Sequence, residues 1–196
     1  MCNMQIYGDL ASGNCLKVKY TADFLRLTYT WVPVDIMKGG SRTPEFLAVN
    51  PAGQVPAIKL LNGRTLSQSN AIIRYLARGS ALLPDDAFAQ AKIDEWLFWE
   101  QYSHEPYVAT CRFHMVYRKL PRQTRDADKV RRGEAALDLM DQQLAGKHWL
   151  ANGAFSIADI ALQAYTRLAA EGGFDLSERG NVSKWVASCE AELKLA

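Results

Sequence analysis

The chain has 196 residues, enough for one ordinary domain or for two small lobes that each bury a core. Its 23 Lys and Arg stand against 21 Asp and Glu, so no global field selects nucleic acid or an anionic membrane, and any partner must be read from a local site. Cysteines at 2, 15, 111 and 189 form no CxxC pair or metal-ligand spacing, the N-terminus has no targeting pattern, and no apolar run approaches the roughly 18 residues of a membrane span. A soluble, cytoplasmic protein is the expectation.

The first third mixes strand and helix signals. "NMQIYG" (3–8) is a short apolar strand, and "LTYTWVPV" (27–34) is rich in β-branched and aromatic residues. Between them, residues 14–26 repeat apolar side chains at Leu16, Val18, Tyr20, Phe24 and Leu25 in an imperfect helical pattern. "VPAIKLL" and "GRTLSQS" predict a hairpin turning at Asn62-Gly63. "SNAIIRYLARG" (69–79) predicts a helix capped by Ser69 and ended by Gly79. The order is β-α-β, an irregular stretch, then β-β-α.

After "SALLPDD" (80–86) the texture changes to long 3.6-residue periods with almost no strand signal. This predicts two domains, 1–80 and an all-helical 87–196. Helices are expected over 88–102, resuming over 107–117 past a kink at Pro106, then over 127–145, 157–170 and 182–193. Ser156 and Asp159 form a capping box, so Asp159 reads as a structural residue. The basic run 118–132 reads as a solvated loop and helix face. His104, His114 and His148 have no metal spacing, and no metal is expected.

"NPAGQVPAI" (50–58) is the most informative segment. Asn50-Pro51 and Gly53 make a tight turn, and Val55-Pro56 opens a strand at a position where a cis bond is tolerated. Such a bond turns the Val55 backbone outward, where an extended peptide can pair with it. Gln68 and Ser69 begin the next helix, whose free amides and dipole attract a carboxylate. Together these elements describe a pocket for a short acidic peptide.

"NPAGQVPAI", "SQSNAIIRYLA", "ALLP" and "FSIADIAL" occur in the order and spacing of the cytosolic glutathione S-transferases, which the chain resembles over essentially its whole length. The resemblance implies an α/β, thioredoxin-like N-terminal domain, an all-helical C-terminal domain and a homodimer. It also implies glutathione as co-substrate and a small hydrophobic electrophile as second substrate. By the same resemblance Val55, beside Pro56, pairs its backbone with the cysteinyl part of glutathione, and Gln68 and Ser69 hold the γ-glutamyl end. Gln54 and Arg42 contact the glycine end, although a solvated Arg42 is an equal reading. Many relatives carry glutamate in place of Gln68, so the bond to the tripeptide's ammonium is neutral here and weaker by about 1 kcal/mol. Tyr107, Cys111 and Phe113 are candidates for the hydrophobic site, with burial in the helical core as the alternative.

"DLASGNCLKV" (9–18) offers two groups that imply different chemistry. A hydroxyl donor at a helix start lowers the pKa of a bound thiol without ionising, which Ser12 can do, and "S-x-N-x-x-K-V" resembles the serine-type transferases. Cys15 can form a mixed disulfide with glutathione if the same helix end depresses its pKa. Asn14 reads equally as a cap or as a second contact to the sulfur. Conjugation to an electrophile is the first expectation. A glutathione-dependent disulfide reductase or peroxidase, and a non-catalytic glutathione-binding protein, are the alternatives.

Overall fold

The computed structural model describes residues 4–195, so Cys2 and the first residue of the expected opening strand lie outside the described part. The chain divides into two compact units, Met1–Leu83 and Pro84–Ala196.

The first unit is a four-stranded sheet in the order β2-β1-β3-β4, with helices packed on it. β1 (Met4–Gly8) buries Met4, Ile6 and Gly8 and exposes Gln5, the alternation of a strand with one face on a core. It runs parallel to β2 (Tyr29–Pro33), and the crossover such a pair needs is α1 (Gly13–Phe24). β3 (Ala57–Lys59) and β4 (Thr65–Ser67) form the hairpin, antiparallel to each other and to β1. At its tip Gly63 has φ 81°, a left-handed conformation glycine takes without a steric penalty. A short α2 (Pro44–Leu47) precedes the hairpin, and α3 (Ser69–Leu76) follows it. Ile6, Val18, Ala57, Ile58, Ile72 and Ile73 are fully buried between sheet and helices. Gly8 has no room for a side chain: a Cβ there would lie 2.8 Å from the Trp31 ring and 3.0 Å from Cys15 Sγ.

The second unit is helical. α4 (Ala87–Trp99) begins at Asp86, whose carboxylate accepts the Ala89 amide at 2.8 Å. The expected interruption before residue 107 is a π-helical turn, Glu100–His104, that leads directly into α5 (Glu105–Arg112). Pro106 therefore sits in the first turn of α5, where its missing amide costs nothing. A second π-helical turn spans Phe113–Tyr117, and α6 (Ala127–Gln143) starts at its cap Asp126. α7 (Ile157–Thr166) is shorter than its expected span, because a 3-10 turn, Ala169–Gly172, and Gly173 with φ 77° follow it. α8 (Gly180–Leu193) completes the unit.

All ten residues of α7 are buried, which makes it the central element of the unit. At its start Ser156 Oγ accepts the Ala158 amide at 3.2 Å, and Asp159 Oδ2 accepts the Ser156 amide at 3.0 Å. Asp159 also accepts the Leu150 amide at 3.0 Å and the Trp185 indole N–H at 2.9 Å. The carboxyl of the capping box thus joins the loop before α7 to α8. Burial pushes it above the usual carboxylate range despite these donors. No helix among the described residues is long and apolar enough to cross a membrane.

Candidate functional site

Two helix starts meet in the first unit. Ser12 caps α1 in an extended conformation, with φ −84° and ψ 122°, but its side chain does not bond the helix's first amides. The side chain of Gln68, at the cap position of α3, leaves that helix's amides alone as well. Gln68 has φ 69°, an unusual value for a residue with a Cβ, and its side chain is exposed. The two helices are joined directly: Ser69 Oγ donates to Asn14 Oδ1 at 3.0 Å. One turn further along α1, the buried Lys17 donates to Asn70 Oδ1 at 3.4 Å. Both helix dipoles therefore present their positive ends at the same place.

The sheet brings a third element to this place. Tyr7 pairs with Ala57, and Ala57 with Ser67. Val55 lies two residues before Ala57, where both registers end. The Val55–Pro56 peptide is cis, and β3 begins only at Ala57, so Val55 stands outside the sheet ladder. Asn50, nearly fully buried, shapes the approach: its Nδ2 donates to Gln54 O at 2.7 Å and its Oδ1 accepts the Ala52 amide at 3.2 Å. Arg42 donates to Ala52 O at 3.2 Å and lies across Gly53, whose φ of 62° favours glycine. Arg42 and Gln54 are exposed beside this turn. Asn50 had read only as part of a turn; its burial depends on a fold that a linear segment does not show.

Ser12 and Cys15 have different environments. Ser12 is half-buried, whereas Cys15 is fully buried against Gly8. The Asp9 amide donates to Cys15 Sγ at 3.4 Å, and the Ser12 hydroxyl hydrogen-bonds the same sulfur. Desolvation outweighs both and pushes the thiol up to about 11, so Cys15 is not the depressed thiol that mixed-disulfide chemistry requires.

The three aromatic and thiol candidates of the helical unit separate. Tyr107 is tied to α6, its hydroxyl accepting from Arg132 Nη1 at 3.1 Å and its ring lying under the same guanidinium. Cys111 belongs to the core cluster with Val108, Leu137, Tyr165 and Phe174, and burial raises its pKa although Arg125 and Lys129 pull it down. Cys111 and Phe113 both line a cavity of about 280 Å³, but Tyr107 does not, and the other lining groups include Arg118, Arg125 and Lys129. The structure thus places Cys111 in the core and at the cavity wall, Phe113 at the same wall, and Tyr107 against α6. The run 118–132, expected as a solvated face, supplies the basic part. Among the described residues, no group of three or more His, Cys, Asp or Glu is placed to hold a metal ion.

Residues 11–78 match the family model for the glutathione S-transferase N-terminal domain, and residues 100–192 the model for the glutathione S-transferase C-terminal domain. Glutathione S-transferase 3 of Zea mays is 34% identical over 169 residues, covering 81% of this chain and 75% of that protein. The crystal structure of a glutathione S-transferase from Pseudomonas fluorescens superposes with a TM-score of 0.92 at 44% identity, covering 96% of this chain and 94% of that one. Poplar glutathione transferase F1 gives 0.87 at 26% identity, over 98% and 95% of the two chains.

Proposed function

Since the chain belongs to the cytosolic glutathione S-transferase family, we propose that the joined starts of α1 and α3 bind glutathione and that Ser12 holds its sulfur as the thiolate. The observation that carries this reading is the Asn14–Ser69 bond, which sets two positive helix ends beside a cap hydroxyl its own helix does not use. Glutathione is an acidic tripeptide, and each of its parts has a counterpart here. Val55 offers backbone groups outside the ladder to the cysteinyl residue, Gln68 and Ser69 face the γ-glutamyl end, and Arg42 and Gln54 stand beside the turn for the glycine carboxylate.

A thiol with a pKa near 8.5 is only a few per cent ionised at neutral pH, and the thiolate is the nucleophile. Lowering that pKa by about two units needs about 2.7 kcal/mol, the range of a hydroxyl hydrogen bond assisted by helix dipoles. Cys15, fully buried and with its pKa raised by desolvation, remains a thiol behind Ser12. The thiolate then forms a carbon–sulfur bond with an electrophilic, largely apolar co-substrate, displacing a leaving group that departs with the electron pair of the broken bond, while the thiol proton passes to solvent. The reductase or peroxidase reading had Asn14 or Cys15 assisting, and its Cys15 form meets a buried thiol of raised pKa. A homodimer is part of the proposal, supported by Phe98 and Tyr102, one helical turn apart and 75% and 81% exposed.

The test is Ser12→Ala. Ultraviolet absorbance of the thiolate in the glutathione complex, titrated against pH, is expected to move up by about two units, and kcat/KM for conjugation to fall about a hundredfold. An unchanged thiolate titration would remove Ser12 from this role.

A further inference from the structure

The cations of the helical unit differ in their partners. Arg112, Arg131, Arg132, Arg167 and Arg179 each lie within ion-pair distance of a carboxylate. Arg118, Arg125 and Lys129 have no such partner among the described residues, and all three line the cavity of about 280 Å³ between the π-helical turn after α5 and the first turn of α6. The partners they do have are neutral. Arg125 donates to Gly172 O at 2.7 Å and to Arg122 O at 3.1 Å, with Phe174 5.5 Å from its guanidinium carbon. Arg118 lies over the Phe113 ring at 5.6 Å. Carbonyls and ring faces orient these guanidiniums without cancelling their charge.

The single carboxylate in the lining is Asp126, and it is turned to its own helix, where Oδ1 accepts the Lys129 amide at 2.9 Å. Three cations against one carboxylate leave two positive charges facing one small cavity. A dianion with several acceptor oxygens matches that charge, and the planar forks of two arginines suit its geometry. The volume, near the lower end of small-molecule pockets, suits a compact ligand. We propose that this cavity binds a phosphate monoester, the phosphoryl group between Arg118, Arg125 and Lys129 and a small apolar substituent against Phe113.

The site lies wholly in the second unit and does not depend on the glutathione reading, and the test keeps the two apart. Titration calorimetry of the intact chain in phosphate-free buffer, with S-methylglutathione present to fill the first unit's site, uses inorganic phosphate, phenyl phosphate and benzoate as probes. Saturable binding of phenyl phosphate is expected, with inorganic phosphate weaker for want of the ring and benzoate weaker for want of the second charge. The exposed pair Arg118→Gln and Lys129→Gln together is expected to weaken phenyl phosphate about tenfold to a hundredfold, with an unchanged thermal midpoint in the absence of ligand. Arg125 is left intact because it also holds the chain at Gly172. Absence of saturable binding, affinity equal to wild type in the double variant, or benzoate binding as tightly as phenyl phosphate would each overturn the proposal.

Discussion

At the mouth of α1, Ser12 is half-buried and Cys15, three residues on, is sealed beneath it. The residue types and their spacing were legible in "DLASGNCLKV". Which of the two is accessible was not, because Cys15 is buried against Gly8 on a neighbouring strand. The difference has a consequence for stability. The Cys15 thiol is raised by desolvation from its ordinary 9.0 to about 11, so below pH 9 it is protonated in both the folded and the unfolded chain and its contribution is fully present. As pH rises from about 9 through about 11, the unfolded chain ionises first and folding loses up to about 3 kcal/mol. Cys15→Ala is therefore expected to flatten the alkaline decline of the urea midpoint over that interval, while conjugation activity stays within a few-fold of wild type. A decline as steep as the wild type's would place the titrating group elsewhere.

Among the elements, those specified locally could be read from sequence and those specified by packing could not. The capping box of α7 is written in four consecutive residues and was legible, but Asp159's bonds to Leu150 and Trp185 span 9 and 26 residues and no local pattern reports them. The same holds for α6, where Gly133 sits in the middle of a helix at an apparent cost of about 1 kcal/mol relative to alanine. The reason lies on another element: a Cβ at 133 would meet the Phe174 ring at 2.5 Å, and that ring is buried in the core with Arg125 beside it. Gly133→Ala is accordingly expected to destabilise the protein by about 1 to 2 kcal/mol, since overpacking outweighs the gain in helix propensity. A lowered urea midpoint is the readout, and an unchanged or raised one would show that Phe174 can swing aside.

Across the whole molecule, the change from mixed periodicity to pure 3.6-residue repeats was legible because each lobe builds its own core. The residues of the proposed glutathione site were legible as motifs, because they lie at helix starts and in a proline turn with short signatures. Hidden from the sequence were the burial of Asn50, whose side-chain bonds stay within its own turn, and the basic cavity that the end of one helix and the first turn of the next enclose beside Phe113. The bond from Ser69 to Asn14 links the part of the fold proposed to recognise one end of the tripeptide to the part proposed to hold its sulfur. Recognition and activation are then mechanically one event: a thiol without a γ-glutamyl group leaves α3 unengaged and finds α1 less well set to stabilise its charge. Cysteinylglycine should accordingly lose in kcat as well as in KM, because binding energy from a remote group is what organises the reacting one. Saturation kinetics with the two thiols would show the fall in kcat; a loss confined to KM would mean that the two helix starts work independently.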